Sequence, residues 1–257
     1  MVIRINDTDV NYEIFGEGEK TLLILHGWMA SIPAVAPIWQ FFMRSRRVVV
    51  LDFPGQGGKS GTPKSAWGIP EYSEMVKTFI ENLKLDKPDV IGHSFGGRVI
   101  IYLASKYPEL FNKIVLTDAA GLKKKASFKK WFKIRSYKLA KWFLKIFTSK
   151  DKFEVKLNEL RKKYGSSDYA ALSSNVMRET FNKVINLDLK DNLKHIKNST
   201  LLIWGENDTD TPLYMAKVME KEIEDSGLVV LKNAGHFSYL DKSAEYNIIV
   251  ENFLGGK

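Results

Sequence analysis

At 257 residues and 44% apolar content, the chain has ample length for a single α/β domain with one core. It contains no cysteine, which excludes disulfides, a thiolate nucleophile and cysteine-ligated metal sites. The formal charge of +9 is concentrated in one segment. Of 39 Lys/Arg and 30 Asp/Glu, 16 and 3 respectively lie between Gly121 and Gly165, leaving that segment at +13 and the rest at −4. The first nine residues lack the continuous apolar core of a secretory signal, and no run of about 18 apolar residues suits a spanning helix. A cytoplasmic location is therefore expected.

Along the chain, apolar runs at 2–5, 10–15, 21–25, 47–51, 88–91, 113–117, 200–204 and 227–231 predict strands. Segments 71–83, 95–106, 212–223 and 243–254 carry helical spacing. Strands alternating with helices predict an α/β fold with a mostly parallel sheet covered on both faces. The first two runs are joined only by Asn6-Asp7-Thr8-Asp9, which suits an antiparallel hairpin at one edge.

The run at 88–91 leads into Gly92-His93-Ser94-Phe95-Gly96, and Gly97–Ala104 reads as a helix. G-x-S-x-G between a strand and a helix is the context of a nucleophile elbow. The sharp turn strains the serine backbone, and glycines on either side remove Cβ atoms that would clash. The Ser94 hydroxyl then projects at the positive end of a helix. A serine hydroxyl is a weak nucleophile until a base takes its proton, and that base needs an acid to orient it. Both are available later in the chain. The run at 200–204 ends in Gly205-Glu206-Asn207-Asp208-Thr209-Asp210-Thr211-Pro212, and the run at 227–231 leads to His236. Three aspartates compete for the acid. Asp208 sits at a strand's carboxyl end, Asp210 could instead bond the turn backbone, and Asp118 ends the run at 113–117. Of the four histidines, His195 lies in a polar, helix-like stretch and is expected to be solvated.

The chain order Ser94, Asp208, His236 resembles that of the α/β-hydrolase fold. Leu22–Leu25 followed by His26-Gly27-Trp28 resembles the family's strand and oxyanion loop. Val48–Leu51 followed by Asp52-Phe53-Pro54-Gly55-Gln56-Gly57 resembles its next strand and turn, with one extra glycine, Gly58, before Lys59-Ser60. These motifs span nearly the whole chain, and only 121–190 carries none. The resemblance implies an eight-stranded, mostly parallel sheet formed by 1–120 and 191–257, with an inserted helical cap over 121–190. It assigns the acid to Asp208, the base to His236 and the oxyanion hole to the backbone N–H groups of Trp28 and Phe95. It makes His26 and His93 structural residues of their motifs.

Residue types narrow the chemistry further. Haloalkane dehalogenases and epoxide hydrolases of this fold need a carboxylate at the elbow, where this chain has Ser94. Gly55–Ser60 lacks the four-residue glycine spacing of a phosphate-binding loop. No His/Cys/carboxylate cluster has metal-ligand spacing, so neither a metal nor a cofactor is expected. The lipase HGGG loop is absent, with His26-Gly27-Trp28-Met29 in its place. The expected activity is hydrolysis of a small-molecule carboxylic ester with an apolar acyl or aryl group, through an acyl-enzyme. Two alternatives stand beside it: carbon–carbon bond hydrolysis of a dienone, and a non-catalytic ligand-binding protein on the same scaffold.

The basic segment has its own pattern. On a helical projection of 127–147, Phe128, Trp131, Phe132, Leu139, Trp142, Phe143, Ile146 and Phe147 share one arc. Lys129, Lys130, Lys133, Lys138, Lys141 and Lys145 take the opposite arc or its edge, with Arg135 the exception. Two readings follow: a cap helix packing its apolar face on the domain with solvated lysines, or a lid that contacts an anionic membrane surface weakly or presents its aromatics to a lipid-like acyl chain. No nucleic-acid module accompanies the patch, so no nucleic-acid partner is expected.

Overall fold

A computed structural model describes residues 1–123 and 174–255 continuously, with 135–137, 140–144, 146, 153, 156, 157, 159, 169 and 172 between them. Its strands are β1 (Val2–Ile5), β2 (Thr8–Phe15), β3 (Thr21–Leu25), β4 (Arg47–Leu51), β5 (Asp89–His93), β6 (Ile114–Thr117), β7 (Thr200–Gly205) and β8 (Ser226–Leu231). They form one eight-stranded sheet in the order β1-β2-β4-β3-β5-β6-β7-β8. The β1–β2 and β2–β4 pairs are antiparallel and all others are parallel. The edge hairpin is tighter than the sequence suggests, because Thr8 and Asp9 already pair with Ile5 and Arg4. Only Asn6 and Asp7 turn, both with positive φ (48° and 61°), and Asn and Asp are the non-glycine residues that best tolerate that region.

The helices are α1 (Ala36–Phe42), α2 (Ile69–Asn82), α3 (Phe95–Lys106), α4 (Asn175–Asn186), α5 (Lys190–Leu193), α6 (Tyr214–Glu222), α7 (Ser238–Asp241) and α8 (Ser243–Leu254). Helical spacing predicts α2, α3, α6 and α8. It misses α1, α5 and α7, which are too short to display a 3.6-residue period, and α4, which lies in the segment without motifs. The strands alternate strictly between two cores. Leu23, Leu25, Val49, Leu51, Val90, Leu116, Leu202 and Trp204 face one cluster, shared with α2, α3 and α6. Leu22, Ile24, Val48, Val50, Ile91, Val115, Leu201 and Ile203 face the other, shared with α1 and α8. Each such side chain, buried on a two-sided sheet, stabilises the fold by about 1.5–3 kcal/mol.

The chain divides into two compact units, Met1–Lys123 with Lys183–Lys257, and Lys124–Asn182. Within the second, Leu157, Leu172, Met177 and Phe181 are buried, and the Tyr169 and Phe181 rings lie 6.0 Å apart. Half of the cap expected over 121–190, and more than half of the projection over 127–147, fall outside the described residues; 135–137, 140–144 and 146 are helical. Among the described residues, no helix is long and apolar enough to cross a membrane.

The sheet order prepares a site. From β3 the chain steps to β4 on one side, then returns to β5 on the other. Loops leaving neighbouring strands diverge at such a switch point and leave a crevice at the strands' carboxyl ends. The loops bearing Trp28 and Ser94 flank it.

Candidate active site

Ser94 joins β5 to α3 with φ 49° and ψ −105°, a strained conformation for a residue with a side chain. The strain is held by close packing around the turn. A Cβ on Gly92 would lie 2.4 Å from Ile100 Cδ1, and one on Gly96 2.2 Å from the Leu25 carbonyl oxygen. The Ser94 N–H donates to the Thr117 carbonyl (3.1 Å), and its carbonyl accepts the Ala120 N–H (2.9 Å). The serine is thereby fixed to the end of the neighbouring strand.

Three side chains then meet in a line. The Ser94 hydroxyl lies 3.0 Å from His236 Nε2, and His236 Nδ1 lies 2.9 Å from Asp208 Oδ2. Because a carboxylate only accepts, Nδ1 carries the proton and Nε2 presents its lone pair to the serine. Asp208 Oδ1 accepts the N–H groups of Asp210 (2.8 Å) and Thr211 (2.9 Å), and Oδ2 lies 2.6 Å from the Thr211 hydroxyl. Burial works against the Asp208 charge, but the bonds from His236 and Thr211 outweigh it and hold the carboxyl below its ordinary pKa. Burial likewise disfavours the His236 imidazolium. The Asp208 hydrogen bond and charge prevail there too, raising the imidazole above an ordinary histidine.

The loop after β3 runs against this line. A Cβ on Gly27 would come within 3.6 Å of Ser94 Cβ, and the Gly96 N–H donates to the His26 carbonyl (3.1 Å). The Trp28 and Phe95 rings make an edge contact at 5.4 Å. Phe95 opens α3, so its N–H has no carbonyl one turn back within the helix. His26 is a buried tie. It accepts the Phe53 N–H at Nε2 (3.0 Å) and donates from Nδ1 to the Gly27 carbonyl (2.7 Å). Burial lowers its pKa to about 4, so it stays neutral and keeps this tautomer.

A model of the alpha/beta hydrolase fold matches residues 20–243. The chain belongs to that family. This α/β-hydrolase is 25% identical to the 2-hydroxy-6-oxononadienedioate/2-hydroxy-6-oxononatrienedioate hydrolase of Escherichia coli (strain K12), over 95% of this chain and 90% of that protein. Among solved structures, it is similar to the enol-lactonase from Burkholderia xenovorans LB400, with a TM-score of 0.75, 21% identity and 99% of each chain covered. It is also similar to the meta-cleavage product hydrolase from Pseudomonas fluorescens IP01, with a TM-score of 0.73, 19% identity, and 99% and 97% covered.

Of the three rival aspartates in the hydrolase, Asp208 is the one hydrogen-bonded to His236. Asp210 is exposed and gives its N–H to Asp208. Asp118 is buried and accepts the N–H groups of Gly205 (2.8 Å) and Ser238 (3.1 Å). His195 is exposed. His93 is buried, and its Nε2–H donates to the His236 carbonyl (2.8 Å). Burial and the nearby His236 lower its pKa to about 3, so it is a neutral donor.

Sequence reading missed two contributors. Thr211 touches Asp208 and lies 3.4 Å from His236 Nδ1; the Asp-x-x-Thr spacing of a side-chain-capped turn was its signal. Gln56 accepts the Met29 N–H (3.0 Å) and so props the loop after β3, where Met29 adopts φ 54°. The variable position of its motif gave no sign of this. The extra Gly58 has a clear role, since a Cβ there would overlap the Asp52 carboxylate. Among the described residues, no group of three or more His, Cys, Asp or Glu could hold a metal ion.

Proposed function

We propose that this α/β-hydrolase cleaves a carboxylic ester through an acyl-enzyme, with Ser94 as nucleophile, His236 as base and acid, and Asp208 as the orienting carboxylate. The observation that carries this is the unbroken hydrogen-bond line from the strained Ser94 through His236 to Asp208. As Ser94 Oγ bonds to the ester carbonyl carbon, its proton passes to His236 Nε2, and Asp208 stabilises the imidazolium. The Phe95 and Trp28 N–H groups receive the carbonyl oxygen as it becomes an oxyanion. The imidazolium then gives its proton to the leaving alkoxide oxygen, so an alcohol departs and the acyl group stays on Ser94. Water repeats the sequence: it loses a proton to His236, attacks the acyl carbon, and Ser94 leaves carrying that proton. Ester and water become acid and alcohol.

Purified protein should hydrolyse p-nitrophenyl butyrate, and Ser94→Ala should lower kcat by a factor on the order of 10⁶. Equal rates in the two proteins would sink the assignment. Only the neutral imidazole accepts a proton, and the His236 pKa is raised. The acid limb of kcat/KM therefore lies at higher pH than an unperturbed histidine would give, with activity rising as pH increases through it.

A second reading is hydrolysis of a carbon–carbon bond in a dienone. It is favoured by the names of the Escherichia coli relative and the Pseudomonas fluorescens neighbour, a meta-cleavage product hydrolase. Turnover of a 2-hydroxy-6-oxo-dienoate in preference to p-nitrophenyl butyrate would select it. For the basic insertion we propose a weak contact with anionic membranes. Supporting this, Trp142, Phe143 and Ile146 of the apolar arc are exposed. The protein should co-sediment with phosphatidylserine vesicles at low salt; no binding there removes the idea.

A further inference from the structure

We propose that Asp118 is a positioning residue for the catalytic line: its carboxylate ties together the two loops that carry Asp208 and His236. The proposal rests on the reading of Ser94, His236 and Asp208 as a catalytic unit. Asp118 directly follows β6 and is fully buried, with φ 44°. That left-handed region is uncommon for non-glycine residues, and Asp and Asn occupy it most readily. Its Oδ1 accepts the N–H of Gly205, the residue from which the Asp208 loop departs (2.8 Å). Its Oδ2 accepts the N–H of Ser238, two residues past His236 (3.1 Å). Its carbonyl lies 3.0 Å from the Thr211 hydroxyl, which also meets Asp208, and its N–H donates to the Ile203 carbonyl (2.9 Å).

One residue thus grips both loops, and each grip is a buried backbone donor that would otherwise lack an acceptor. His93 holds the His236 carbonyl from β5. The main chain under the imidazole is therefore pinned on both sides, by a donor at residue 236 and an acceptor at residue 238. Only a carboxylate offers two acceptor oxygens in this volume, and the arrangement has a cost. Burial pushes the Asp118 pKa up to about 7, although the Ser238 side chain and both N–H groups favour its charge. The ionisable groups facing it are Asp208 and His236 on the two loops, Tyr239 on α7 and Tyr246 on α8. Its negative charge supports the His236 imidazolium.

The test uses the full chain, p-nitrophenyl butyrate and a fluorophosphonate probe. Asp118→Asn keeps the size and the left-handed backbone but has one acceptor oxygen, and its amide group faces the second N–H. The expected result is a kcat lowered by about 10- to 100-fold at unchanged KM, the loss typical of a small misplacement of reacting groups. Probe labelling of Ser94 should slow in parallel. The acid limb of the pH–rate profile should move to lower pH, because a charge favouring the imidazolium is gone. A folded variant with wild-type kcat and an unmoved limb overturns the proposal. If the variant does not fold, Ser238→Pro decides. It deletes the same N–H at the first position of α7, where proline is tolerated, and should also lower kcat. Wild-type kcat there, or failure of both variants to fold, overturns the proposal and leaves Asp118 a folding role. A wild-type protein that neither labels nor hydrolyses the ester would instead defeat the underlying serine-hydrolase reading, and the positioning role with it.

Discussion

The loops after β6 and β7 each begin with a buried aspartate close to the strand end, yet their carboxylates settle in opposite states. Asp208 receives two N–H groups, the Thr211 hydroxyl and an imidazole that can become a cation, and its pKa is held down. Asp118 accepts two N–H groups with no cationic side chain bonded to it, and its pKa rises to about 7. Burial penalises charge in both places. The difference lies in the number and kind of donors, and above all in whether one of them can carry positive charge. Adjacent strand ends thus supply one carboxylate suited to stabilising an imidazolium and another suited to holding backbone.

The sharpest way to break this contrast is Asp208→Asn. The amide can no longer receive the Nδ1 proton as a carboxylate does, so the imidazole is free to take the wrong tautomer. The expected loss in kcat is on the order of 10⁴, which steady-state ester hydrolysis measures directly. The acid limb should fall to lower pH, since the charge raising the His236 pKa is removed. A loss no greater than that of Asp118→Asn would erase the distinction between the loops.

Stability gives a smaller effect with opposite signs at the two sites. Asp208 has a lowered folded pKa, so its contribution is present above the unfolded value of about 3.9 and is lost as pH falls through the folded value. Asp118 has a raised one, so its contribution is full below about pH 3.9 and is lost as pH rises through about 7. Urea midpoints at pH 5 and pH 8 should differ less in Asp118→Asn than in the wild type. His236, also raised, supplies the residual slope in both proteins. An unchanged midpoint difference would place the Asp118 titration outside this window.

Most of the sheet was legible because its signals are local. Two-sided strands such as Leu22–Leu25 and Val48–Leu51 read as unbroken apolar runs, and α2 and α3 are long enough to show their period. Ser94 was legible for a related reason, since an elbow needs glycines at fixed offsets along one stretch of chain. Asp208, Asp210 and Asp118 were harder to rank. Sequence places all three near strand ends, but only the pairing of β6 with β7 and β7 with β8 brings one of them to His236. Gln56 was invisible as a support because its contact is to a backbone group far away in sequence, and His93, structural by its motif, gave no hint that its partner is the His236 carbonyl for the same reason. Backbone partners leave no residue-type trace. The short helices α1 and α7 escaped because one or two turns do not establish a period.

Thr211 is where the two loops touch, and it offers the finest test of their comparison. Its hydroxyl has one proton and two acceptors, the Asp208 carboxylate at 2.6 Å and the Asp118 carbonyl at 3.0 Å. Thr211→Val keeps the shape and removes the hydroxyl. Asp208 retains two N–H groups and His236, so it stays ionised and the line survives. The expected loss in kcat is about fivefold, the equivalent of one hydrogen bond of about 1 kcal/mol. The informative quantity is the double variant with Asp118→Asn. If the loops hold the proposed catalytic line as one unit, the combined loss should fall short of the product of the single losses, because either change already loosens the same geometry. Strict multiplication of the two would mean that the β6 and β7 loops act independently, each holding its own aspartate and nothing more.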